Sequence, residues 1–171
     1  MEGWLAGVFA VFGAVDVYLN DCQTSCFAYS EATSRVHVQA GATEFNNRWI
    51  GQEVLLGYDL GRKYGPFQPT VATSFTDLGD AWIGAGLKWN TQHLFDGPVF
   101  FESYAMPGLY AAGDGSDIGG FIQFRGSIGF GYEFENGVQA LIAYDHRSNA
   151  HIWETNPGLE TFHLRVSFPL D

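Results

Sequence analysis

The chain has 171 residues, 46% of them apolar, 16% aromatic and only 16% charged. A length of this order fits one domain with a real core, and its 15 Phe, 8 Tyr and 5 Trp exclude a disordered polymer, which would be aromatic-poor. Eight basic against nineteen acidic residues give a net charge of −11. That balance argues against nucleic-acid binding, which rests on cations that neutralise phosphates.

In chain order, the first uncharged run, Gly3 to Val15, covers 13 residues, where a spanning helix needs about 20. Trp4 to Val17 is apolar enough for the core of a signal peptide, yet Glu2 occupies the place of the usual basic region and no clean small-residue cleavage site follows. Residues 1–33 therefore read as an N-terminal segment outside the main strand pattern: a leader remnant, an extra strand or an extension packed on the body. Cys22 and Cys26 are the only cysteines. They suit either a local disulfide in an oxidising compartment or two separate thiols, and no second pair with zinc spacing accompanies them.

From residue 34 onwards the chain reads as strands, placed at 34–45, 48–60, 66–77, 80–92, 98–112, 120–135, 138–149 and 159–169. Turn chemistry separates several of them, at Asn46-Asn47, Gly79-Asp80, Asp96-Gly97-Pro98 and Asn136-Gly137. The stretch Gly61 to Gly65 is less tidy, because Arg62, Lys63 and Tyr64 fill it. Strands of this length joined mostly by short turns predict an all-β fold over 34–171, an eight-stranded antiparallel up-and-down barrel.

The facing of the strands favours a transmembrane barrel. In 120–135 the even positions Ile122, Phe124, Ile128, Phe130, Tyr132 and Phe134 are apolar, whereas Gln123, Arg125, Ser127 and Glu133 alternate with them. Tyr58, Trp89, Tyr132, Phe134 and Phe168 fall on apolar faces near strand ends, as interfacial girdles require. Trp49 and Trp82 fall on the opposite parity. Glu53, Lys88, Arg125, Glu133 and Arg165, on polar faces, carry both signs and suit a narrow polar lumen. A soluble lipid-binding barrel has the same alternation turned inside out. Met106-Pro107 within a strand predicts a bulge, or alternatively a widened lipid-side groove.

The residues with chemistry lie near the C-terminal end. One parity puts His146, Ser148 and Glu160 on the apolar outer face of two adjacent strands, next to the connection 150–159. Residues i and i+2 of a strand stand about 6.5–7 Å apart, and a neighbouring strand lies about 5 Å away. An imidazole can thus reach both a serine hydroxyl and a carboxylate, as nucleophilic acyl transfer requires. His37, His93, His151 and His163 read as lumen or loop histidines. His146 with His151 straddles a strand end and a loop, a poor metal spacing, so no metal site is expected.

The run His146-Arg147-Ser148-Asn149-Ala150, followed by Asn156-Pro157-Gly158-Leu159-Glu160 and a final strand, resembles the lipid A 3-O-deacylase (PagL) family of outer-membrane barrels. The hairpin from Arg125-Gly126-Ser127-Ile128-Gly129 through Asn136-Gly137 is similar as well. The resemblance implies an outer-membrane esterase that removes the 3-O-linked acyl chain of lipid A, with lipopolysaccharide and outer-membrane lipids as partners and no cofactor. It implies His146 as base, Ser148 as nucleophile and Glu160 as orienting acid, with Asn149 or Asn156 donating to the oxyanion. The acyl chain would lie along Ile142, Phe162 and Leu164. The same residues also suit a phospholipase or acyltransferase, and the barrel pattern alone suits a non-catalytic structural barrel.

Overall fold

Strict two-residue alternation of apolar and polar side chains organises the body of the chain. The structure, a computed structural model, describes residues 4–170; residues 1–3 of the N-terminal segment and residue 171 lie outside the described residues. The strands are β1 (Tyr29–Glu31), β2 (Ser34–Phe45), β3 (Arg48–Asp59), β4 (Arg62–Tyr64), β5 (Gln68–Thr76), β6 (Ala81–Asn90), β7 (Val99–Ala111), β8 (Ile122–Glu133), β9 (Gln139–Ser148) and β10 (Leu159–Leu170). All but β1 and β4 close into an antiparallel barrel in the order β10-β2-β3-β5-β6-β7-β8-β9. The eight barrel strands fall within two residues of the ranges predicted from sequence. Asn46 and Asn47, at φ 50° and 59°, form the two-residue turn between β2 and β3.

The untidy stretch at 61–65 has a structural cause. Arg62–Tyr64 pairs with Tyr29–Glu31 in a separate two-stranded sheet, so these residues are strand rather than turn.

The barrel is apolar outside and polar inside. Val38, Val54, Ile83, Phe130, Ile142 and Leu164 are exposed, while Gln39, Glu53, Asp59, Lys88, Arg125, Asp145 and Arg165 are buried. Barrel strands of 9 to 13 residues match the span of a tilted membrane strand. This inside-out distribution belongs to a membrane-spanning barrel.

Ion pairs line the lumen. Arg125 donates to Asp145 at 2.7 Å and to Glu53 at 2.7 Å, and Arg147 donates to the same Glu53 oxygen at 2.6 Å. Tyr104, His163 and Gln39 also meet Asp145, at 2.8, 2.9 and 3.2 Å. Lower in the barrel, Lys88 pairs with Asp59 and Arg165 with Glu102. Above the Arg pair lies Trp82, whose ring is 5.5 Å from the Arg125 guanidinium and 5.7 Å from that of Arg147. Gly84 and Gly108 make room for that indole, since a Cβ at either would stand within 2.6 Å of it.

Both tryptophans of opposite parity are thereby explained. Trp82 points into the lumen and is buried. Trp49 points outwards against Phe162, with ring centroids 5.7 Å apart, because the β2–β3 register jumps from Thr43↔Gly51 to Glu44↔Trp49 and leaves Ile50 as an extra residue. At Met106-Pro107 the expected bulge is absent. The register with β6 is the same on either side, from Gly84↔Gly108 to Leu87↔Ala105, and pairing to β8 is continuous.

The N-terminal segment forms helix α1 (Trp4–Asp16), continued by a π-helical turn over Val17–Asp21. Cys22 and Cys26, just beyond, are disulfide-bonded. The helix lies on the outer face of the barrel against β7 and β8. Trp89, predicted in an exposed girdle, is instead buried under it, stacked on Phe12 at 5.8 Å.

Removing one partner from a buried ion pair leaves an uncompensated charge and costs about 3–5 kcal/mol. Arg125→Met is therefore expected to lower the thermal unfolding midpoint in detergent, followed by circular dichroism. Ile83→Leu, an apolar exchange on the exposed lipid face, should leave it unchanged. Equal midpoints for the two would show that the lumen network contributes nothing.

Candidate active site

Alternation along β9 sends Asp145 and Arg147 into the lumen and His146 and Ser148 outwards. Although they face outwards, His146 and Ser148 are only 5% and 6% exposed. They are covered by the connection to β10 and by α1. Glu160 is the direct cross-strand partner of His146 in the β9–β10 register, and its Oε1 lies 3.2 Å from His146 Nδ1. The other ring nitrogen, Nε2, is buried and has no hydrogen-bond partner among the described residues. Ser148 therefore makes no hydrogen bond to it, but both side chains line one cavity of about 480 Å³, a size typical of small-ligand sites.

Gly158, in the β9–β10 connection, has φ +77°, and a Cβ there would stand 2.7 Å from His146 Cε1. Only glycine suits both the backbone conformation and the approach to the ring. The imidazole is thus held between the Glu160 carboxylate and the Gly158 backbone.

The two asparagines are used differently. The Asn149 amide donates to the carbonyls of Gly119 and Thr155 at 2.6 Å each, and to that of Ile118 at 3.3 Å. It ties the β7–β8 and β9–β10 connections together directly behind Ser148. Asn156 accepts from the Asn149 backbone N–H at 2.9 Å, while its own Nδ2 is buried without a partner among the described residues.

The rest of the cavity lining departs from the sequence reading. Its apolar wall comes from Leu5, Ala6, Ala105, Pro107, Phe124 and Gly126, on the β7–β8 side of His146. Ile142, Phe162 and Leu164 line no part of it. Ile142 and Leu164 are exposed on the β9–β10 lipid face, and Phe162 joins Glu160 and Tyr144 in a second recess. Pro107, whose ring interrupts pairing to β6 without a bulge, thus belongs to a lipid-side groove. The contribution of α1 carried no signal in sequence, because its partner is an outer barrel surface assembled from distant strands. Of the remaining histidines, His37 and His163 lie buried in the lumen, His93 meets Asp16 of α1, and His151 lines the cavity mouth.

Comparison with known proteins agrees with this architecture. Residues 35–169 match the family described as lipid A 3-O-deacylase (PagL). The crystal structure of the outer-membrane enzyme PagL superposes with a TM-score of 0.64 at 21% identity, covering 80% of this chain and 99% of that one. Neisserial surface protein A gives 0.59 at 11% identity, over 84% and 99%. A designed transmembrane β-barrel gives 0.56 at 13%, over 82% and 98%. None of the curated proteins matches in sequence. With a family match that spans every strand of the barrel, the chain belongs to the lipid A 3-O-deacylase family of outer-membrane hydrolases.

Proposed function

We propose that the chain cleaves the 3-O-linked acyl ester of lipid A through a Ser148–His146–Glu160 triad. The observation that carries this reading is the pairing of His146 Nδ1 with Glu160, which leaves Nε2 buried and unpaired in the cavity that also holds Ser148. A buried ring nitrogen without a partner is costly, and here a serine proton or a leaving-group oxygen satisfies it.

The steps follow from these positions. Ser148 Oγ attacks the ester carbonyl carbon and its proton passes to His146 Nε2. Glu160 holds Nδ1–H and stabilises the imidazolium. Collapse of the tetrahedral intermediate breaks the bond to the sugar oxygen, which leaves as the 3-hydroxyl with the proton from Nε2. Water then attacks the acyl-serine, giving its proton to His146. The 3-hydroxy fatty acid departs and Ser148 recovers its proton.

Asn156 is the better oxyanion donor of the two asparagines, because the Asn149 amide is committed to backbone carbonyls while Asn156 Nδ2 has no partner. Asn149 then serves to hold both connections over the site.

Expression of the wild type in Gram-negative cells should lower the lipid A mass by one 3-hydroxyacyl chain, and Ser148→Ala, present at equal level in the outer membrane, should abolish that loss. Unchanged lipid A in the wild type would overturn the substrate. Glu160→Gln is expected to lower kcat by up to about 10⁴-fold. For Asn156→Ala, removal of an oxyanion donor should lower kcat by about 10²–10³-fold with little change in KM; a loss confined to Asn149→Ala would reverse the assignment. Gly158→Ala should displace the imidazole and lower kcat about a hundredfold while the barrel still folds and unfolds in one cooperative transition. Wild-type kcat in that variant would show that the glycine does not position His146.

A further inference from the structure

The family match begins at residue 35, so helix α1 lies outside it, yet α1 reaches the site. Leu5 is 2% exposed, whereas Val11, Phe12 and Val15 on the same helix are about half exposed or more. Leu5 packs against Gly126 of β8, the residue directly opposite His146 in the β8–β9 register. A Cβ at Gly126 would stand 3.1 Å from Leu5 Cβ and 3.6 Å from the Ala6 backbone nitrogen. The absence of a side chain at 126 is what lets the helix approach, and Leu5 and Ala6 line the cavity with His146 and Ser148.

The far end of the helix is anchored by polar contacts that a loosely attached segment would not need. Asp16 is buried on the lipid side of the barrel, where a carboxylate is expensive unless satisfied. It accepts from Trp89 Nε1 at 2.5 Å and from Asn20 Nδ2 at 2.7 Å, and meets His93 Nε2 at 2.7 Å. Between the two ends, Phe9 packs on Phe67 at 5.5 Å and Phe12 on Trp89. Trp4 stacks on Tyr144 of β9 at 6.4 Å, so the helix bridges the outer face on both sides of Gly126.

We infer that α1 is the wall of the acyl groove and that Leu5 determines which acyl chains reach Ser148. The groove runs between α1 and the strip of Ala105, Pro107 and Phe124, and takes the fatty-acyl part of the ester. Leu5 limits its depth beside the reacting carbonyl, and the Asp16 anchor keeps Leu5 in place from the other end of the helix. This rests on the ester-hydrolase reading of Ser148 and His146.

The test uses the full chain in detergent micelles with p-nitrophenyl esters from four to sixteen carbons. Labelling of Ser148 by a fluorophosphonate and the unfolding midpoint verify folding. For Leu5→Trp, the ratio of kcat/KM for the C12–C16 esters to that for the C4 ester is expected to fall at least tenfold below wild type. Leu5→Ala should shift the ratio the other way. Asp16→Ala, which alters no residue of the groove, should shift it as Leu5→Ala does by releasing the anchor. Chain-length profiles identical to wild type in folded, labelled Leu5→Trp and Asp16→Ala would overturn the proposal. A wild type that hydrolyses no ester and takes no label would instead overturn the hydrolase reading, and this inference with it.

Discussion

A barrel this narrow has to neutralise the charges inside it, and the clasp of Arg125 between Glu53 and Asp145 is the contact on which the rest depends. Arg125 is on β8, Asp145 on β9 and Glu53 on β3, so one guanidinium spans the lumen. Five of the eight basic residues (Arg35, Lys88, Arg125, Arg147 and Arg165) pair with five acids along this axis. The net negative charge of the chain therefore belongs to its periphery and loops. The lumen contacts also settle the outside. A slip of one residue on β9 would exchange its two faces, putting Asp145 and Arg147 into lipid and His146 and Ser148 into the lumen. The ion network opposes that slip, so inward electrostatics determine that His146 and Ser148 face outwards.

An outward-facing histidine and serine would be poorly placed in bare lipid. Here the Gly158 connection, the asparagine-tied loops and Leu5 shield them, and Glu160 occupies one ring nitrogen. The cavity opens sideways towards the membrane, which suits an acyl substrate already dissolved there. Moving a chain from lipid into the groove gains much less than the roughly 0.8 kcal/mol per methylene of transfer from water. Selectivity must then come from shape and from the polar groups around the ester.

Sequence alternation exposed the eight barrel strands and the shared outward face of His146, Ser148 and Glu160, because both follow from a two-residue period and short turns. What it could not show are features set by non-local packing. Ile50 is inserted by a bulge, which no local composition marks, and this alone turns Trp49 outwards. The inward facing of Trp82 follows its parity, but the room for its indole comes from Gly84 and Gly108, on two strands. Pro107 carried a real signal of irregularity, but its consequence is a gap in pairing beside the cavity rather than a bulge. Ile142, Phe162 and Leu164 are on the expected face yet on the far side of His146 from the cavity, since parity gives the face of a strand and not the side on which a groove opens. The choice between Asn149 and Asn156 depends on carbonyls of Gly119 and Thr155 that meet only after folding.

Helix α1 shows how a segment with little amphipathic character can still have a defined position. Most of its apolar side chains face lipid, where one orientation is nearly as favourable as another, so burial of apolar surface cannot fix its place. Two contacts can. Asp16 has to keep its two partners on the barrel, Trp89 of β6 and His93 beyond it, because a buried carboxylate without them would cost several kcal/mol. Leu5, three helical turns away, fits only where Gly126 leaves a gap. The polar end supplies the attachment and the small-residue contact supplies the register, so the position of a leucine beside His146 and Ser148 is set by a carboxylate at the opposite end of the helix.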